Sequence, residues 1–135
     1  MTQMSVGRLQ HRADFLRVAA RGRKWVTPGL ILQVAPTTPN ANRVEGKHLR
    51  IGFTVSRRVG NAVERNRVRR RLMAVVREVL ITYGKEGCDY VVIGRRASLT
   101  RPYGKLVHDL ETALAELYSN IDLPKMNGDS TRKSQ

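Results

Sequence analysis

The sequence predicts one α+β domain of order α-β-β-α-β-α around a mixed four-stranded sheet, the first strand region being counted as two. Helical and alternating apolar patterns succeed one another without an internal repeat or a linker. The 135 residues suffice for one modest core. Residues 1–7 carry no periodic pattern, and from residue 120 the composition turns to Pro, Asn, Gly, Asp, Ser, Thr and Lys. Both ends are expected to be disordered, leaving residues 8–119 as the domain.

Residues 9–20 place Leu9, Arg12, Phe15 (or Leu16) and Ala19 at helical spacing, a short first helix that Gly22 can end. Residues 25–35 are rich in β-formers, with Leu30, Leu32 and Val34 alternating, and Pro28 bends the early part or confines it to an edge. Residues 36–47 read as a turn-rich loop. Residues 48–56 alternate cleanly: Ile51, Phe53 and Val55 take one side, Arg50, Gly52, Thr54 and Ser56 the other. The apolar side packs on helices; the other is either a ligand groove or a solvated face. Residues 61–83 form the longest expected helix, its buried stripe being Val68, Leu72, Val75, Val76, Val79 and Leu80. Residues 84–87 stop it. Residues 88–94 read as a buried strand, and residues 102–118 as a last helix with Leu106, Leu110, Leu114 and Leu117 on one face.

Charge points to a polyanion. Lys and Arg total 25 against 11 acids, a net charge of +14. The stretch of residues 57–71, RRVGNAVERNRVRRR, sets seven arginines against the single carboxylate of Glu64. A guanidinium stays charged and its planar fork fits phosphate. Such a cluster repels itself until a polyanion neutralises it, and nucleic acid is the expected partner. A membrane surface fits less well, because no long Lys-rich amphipathic helix carries aromatic anchors. Arg57 and Arg58 sit on a strand-to-helix turn, beside the positive end of the long helix. Along that helix Arg65, Asn66 and Arg69 border the apolar stripe, while Arg67, Arg70 and Arg71 cover the outer side.

Other chemistries find no support. The lone Cys88 excludes an internal disulfide and a Cys-rich zinc site. His11, His48 and His108 lack metal-ligand neighbours at i+3 or i+4, acids are sparse, and neither a nucleophile elbow nor a P-loop occurs. No catalytic residue and no protein-held metal are expected. No apolar run approaches the length of a membrane span, and the first residues lack the apolar core of a signal peptide, so no membrane contact and a cytoplasmic setting are expected. Phe53 reads as core. Phe15 is open between core packing and a platform for stacking an unpaired base.

Residues 50–71, RIGFTVSRRVGNAVERNRVRRR, resemble the signature of the bacterial ribonuclease P protein subunit: a strand, a Ser-Arg-Arg-x-Gly turn, then Asn-Ala-Val-x-Arg-Asn-Arg-Val-Arg-Arg. The likeness extends over about residues 8–117, including Asp14-Phe15. It implies a left-handed β-α-β crossover, against the usual hand. It further implies a protein cofactor of an RNA enzyme, an endoribonuclease that removes the 5′ leader of precursor tRNA, with catalysis and the Mg²⁺ ions held by the RNA subunit. Arg57, Arg58, Asn61, Arg65, Asn66, Arg67, Arg69 and Arg70 correspond to RNA-subunit contacts. Phe15, Arg50, Thr54 and Tyr90 correspond to the groove for the precursor-tRNA leader. No obligate protein partner is implied. This chain has Ala19 and Gln33 where relatives often carry aromatics, and Met73 where they often carry Arg. The competing readings are a structural RNA-binding protein of the ribosomal kind and a protein that is itself a nuclease.

Overall fold

The computed structural model describes residues 5–37, 48–85 and 87–120. Of the loop expected at 36–47, Pro36 belongs to the preceding strand and residues 38–47 lie outside the described ones; of the tail expected at 120–135, Asn120 ends the last helix and residues 121–135 lie outside. The elements are β1 (Ser5–Arg8), α1 (Arg12–Arg21), β2 (Arg23–Val26), β3 (Leu30–Pro36), β4 (His48–Thr54), α2 (Ala62–Tyr83), β5 (Cys88–Gly94) and α3 (Tyr103–Asn120). Two 3₁₀ turns, Arg57–Val59 and Arg96–Leu99, follow β4 and β5.

One mixed sheet has the order β1-β4-β5-β3-β2. The pairs β1–β4 and β4–β5 are parallel; β5–β3 and β3–β2 are antiparallel. The sheet therefore has five strands, not four. The extra one is β1, so Ser5–Gly7, expected to be disordered, pairs instead with residues 48–50. Leu9 is also not helical. Its N–H continues the ladder to the Ile51 carbonyl at 2.9 Å, and α1 starts only after the extended His11. The long first strand region divides at Pro28-Gly29, as anticipated. There the Thr27 N–H meets the Leu30 carbonyl at 2.9 Å, and the Leu30 N–H meets Thr27 Oγ1 at 3.1 Å.

Strand alternation gives the sheet two apolar faces. On one, Leu30, Leu32, Val34, Leu49, Ile51, Cys88, Tyr90 and Val92 meet α2 and α3. The α2 stripe is the one the periodicity specifies: Val68, Leu72, Val75, Val76, Val79 and Leu80 are all buried. Each contributes about 1.5–3 kcal/mol of transfer free energy, which holds the helix down whatever its outer face carries. On the other face α1 covers a smaller cluster of Leu9, Val18, Ala35 and Val91, with Phe15 and Ile93 at its margin.

Candidate nucleic-acid interface

The arginine stretch begins where β4 ends. Ser56 caps the first 3₁₀ turn by accepting from the Arg58 N–H at 3.3 Å. Gly60 follows at φ 157°, a conformation that residues with a side chain rarely adopt, and a Cβ there would stand 2.2 Å from Glu64 Oε1. Asn61 and Glu64 then form a reciprocal capping box, each side chain 2.9 Å from the other's backbone N–H. The one acid within the arginine run is thereby engaged by backbone.

On this frame the arginines stand outward. Arg57, Arg58, Arg67, Arg69 and Arg70 are exposed, as are Asn61 and Asn66, and Arg65 is half-buried. Among the described residues none of the six arginines forms an ion pair with a carboxylate. Arg65 Nη1 donates to the Gly60 carbonyl at 2.9 Å, and Arg69 Nη1 to Asn66 Oδ1 at 3.0 Å. All eight predicted residues thus lie on one continuous turn and helix. Two of them, Asn61 and Arg65, also hold the local backbone. Arg71 differs: its guanidinium reaches the carbonyls of Ser98 at 2.6 Å, Leu99 at 3.3 Å and Arg101 at 2.6 Å. It clamps the second 3₁₀ turn to α2, a role that no spacing in the sequence announces.

The predicted groove residues divide. Phe15 lies half-buried over Gly52, where an added Cβ would be 2.5 Å from its Cε1. Thr54 is exposed on the same face. The β-ladder registers set it in a row with Ile93, Ile31 and Val26, and this row is only partly covered. Arg50 also lies on this face, but its guanidinium grips Asp89 through two bonds of 2.9 and 2.7 Å and faces Asp14 at 3.5 Å. It fastens α1 to the sheet. Tyr90 is not in the groove. In a strand, residue 90 shares its face with Cys88 and Val92, so its ring is buried under α2 and α3. Its hydroxyl meets the Lys85 N–H at 2.9 Å and the Tyr118 hydroxyl at 2.7 Å, and burial pushes its pKa far above the ordinary phenol.

Sequence reasoning also missed the group under α1. Asp89 is fully buried and takes Arg50, Arg17 and the Thr37 hydroxyl, the last at 2.9 Å. Arg17 donates as well to the Pro36 carbonyl at 2.9 Å. The available signal was a lone acid inside an apolar strand run, since a buried carboxylate requires partners. Among the described residues no three His, Cys, Asp or Glu side chains converge on a possible metal position. Asp14 and Asp89 both face the guanidinium groups of Arg17 and Arg50.

Fold and surface together define a small α+β protein with its densest run of unpaired, exposed arginines on one helix and the adjoining strand end. Residues 5–118 match the family described as Ribonuclease P. The ribonuclease P protein component of Paramagnetospirillum magneticum is 55% identical over 107 residues, 79% of each chain. That of Gluconacetobacter diazotrophicus is 48% identical, over 79% of this chain and 87% of its own. Among solved structures, the RNase P protein of Staphylococcus aureus superposes with a TM-score of 0.62 at 26% identity, over 82% of this chain and 96% of that one. The Thermotoga maritima RNase P protein shares the fold, with a TM-score of 0.61 at 22% identity, over 78% of this chain and 92% of its own. The chain belongs to the ribonuclease P protein family.

Proposed function

We propose that this chain is the protein subunit of ribonuclease P in the cytoplasm. It binds the catalytic RNA through Arg57, Arg58, Asn61, Arg65, Asn66, Arg67, Arg69 and Arg70. It receives the single-stranded 5′ leader of precursor tRNA along the open row beside Phe15 and Thr54. Removal of the leader, and the Mg²⁺ it needs, belong to the RNA subunit. The observation that carries this reading is the row of exposed arginines on α2 and its turn, none of them paired with a carboxylate among the described residues, in a chain of this family. Catalytic RNA and precursor tRNA repel each other through their phosphates. A chain of net charge +14 bound to both lowers that repulsion, and with it the demand for Mg²⁺.

The test is cleavage of precursor tRNA by the RNA subunit at low Mg²⁺, with and without this chain. Faster release of the leader in its presence supports the proposal. Equal rates would leave a structural RNA-binding protein as the better reading, and cleavage by the chain with no RNA subunit would make it a nuclease.

A further inference from the structure

The parallel neighbours β4 and β5 leave the sheet side by side, Thr54 opposite Ile93, and each runs into a 3₁₀ turn beside an Arg-Arg pair. After β4 the pair is Arg57-Arg58; after β5 it is Arg95-Arg96. The carboxyl ends of parallel strands are where such sheets collect ligands in their loops. The two turns are joined, because Arg96 Nη1 donates to the Val59 carbonyl at 3.3 Å. The second turn is also held rigidly. Ser98 Oγ accepts from the Arg95 N–H at 2.8 Å and donates to the Gly29 carbonyl at 2.6 Å, Arg95 Nη1 reaches the Thr27 carbonyl at 2.6 Å, and Arg71 clamps the far side. Arg96 itself is exposed and, among the described residues, pairs with no acid.

We propose that Arg96 is a further contact for the RNA subunit's phosphates, so that the docking surface is a platform built from both strand ends rather than α2 and its turn alone. A guanidinium on a rigid turn loses little freedom on binding, and with one edge on Val59 it keeps donors for a phosphate. The inference rests on the proposed function and enlarges its RNA-binding surface.

Binding of the full chain to ribonuclease P RNA across a salt series tests it, with Arg96→Ala, Arg96→Gln, Arg96→Lys and, as an equal loss of charge elsewhere, Lys24→Ala. Arg96→Ala and Arg96→Gln are expected to weaken binding roughly 5- to 10-fold and to flatten the salt slope by about one phosphate, with Arg96→Lys close to wild type. A loss of affinity in Arg96→Ala and Arg96→Gln with the salt slope unchanged would mean that the side chain only props the first turn through Val59, and would overturn the proposal. It fails equally if Lys24→Ala loses as much, or if no Arg96 variant differs from wild type. Should the wild-type chain not bind this RNA at all, the proposed function falls with it.

Discussion

Burial alone would push the Asp89 carboxyl up, yet hydrogen bonds from Arg50 and Thr37, the Arg50 charge and the Arg17 bond hold it below the usual carboxylate range. A carboxyl whose folded pKa is depressed adds stability above its unfolded value, near 4, and that stability is lost as pH falls through the lower folded value. The melting temperature of the wild type should therefore drop as pH is lowered below about 4. Asp89→Asn should lose about 2–3 kcal/mol at neutral pH, less than for a fully buried pair because Arg17 and Arg50 reach solvent, and its acid limb should be flatter in thermal melts. Gly52→Ala tests the groove from the other side. Its Cβ would press on Phe15 at 2.5–2.6 Å, so the ring must move. Like Phe15→Ala, it should weaken binding of leader-bearing substrate more than of mature tRNA, and equal losses would remove Phe15 from the leader site. The sequence left Phe15 open between core and platform, and the fold places it at the boundary of the two. The strand at 88–94 is buried on both faces. Its pattern therefore cannot show which way residue 90 points, and Tyr90 was assigned to the wrong side.

α2 was legible almost to the residue, because a 22-residue helix with one apolar stripe carries its own instructions. β1 was not legible. Four residues, SVGR, become a strand only because β4 offers its edge more than 40 positions later, and no local signal records that pairing. The Pro28-Gly29 turn lay between, since Pro announced the break but not the antiparallel return. The division of labour along α2 follows from the same geometry. Arg67 and Arg70 make no side-chain bond among the described residues, so replacing both by Ala should leave the unfolding free energy from thermal melts within about 0.5 kcal/mol of wild type. The same double variant should weaken RNA binding in a filter assay by more than tenfold, on the order of two phosphate contacts. Arg71→Ala should behave in reverse. It strands three carbonyls around the second 3₁₀ turn and should cost about 2 kcal/mol, a loss that chemical denaturation would detect.

Across the whole molecule the arginines are sorted by what they hold. Arg17, Arg50 and Arg101 are bound to carboxylates and Arg71 to carbonyls, whereas Arg57, Arg58, Arg67, Arg69 and Arg70 are exposed and pair with no acid among the described residues. Net charge and the clustered motif were readable from the sequence; which guanidinium groups are already occupied was not, because their partners come from distant strands. The sorting has a thermodynamic consequence. Only unoccupied cations displace counterions from RNA, so the salt dependence of binding should report the free arginines and not the full charge of +14. A plot of log affinity against log salt for the RNA subunit should fall with a slope of roughly −0.7 to −0.9 per phosphate neutralised. The total should correspond to about six to eight contacts, from the six arginines proposed to meet the RNA on the first turn and α2 together with Arg96. A slope near zero would reject docking through phosphates. A slope calling for many more contacts would mean that exposed cations outside this surface, such as Arg21, Arg23 and Lys24, also meet the RNA.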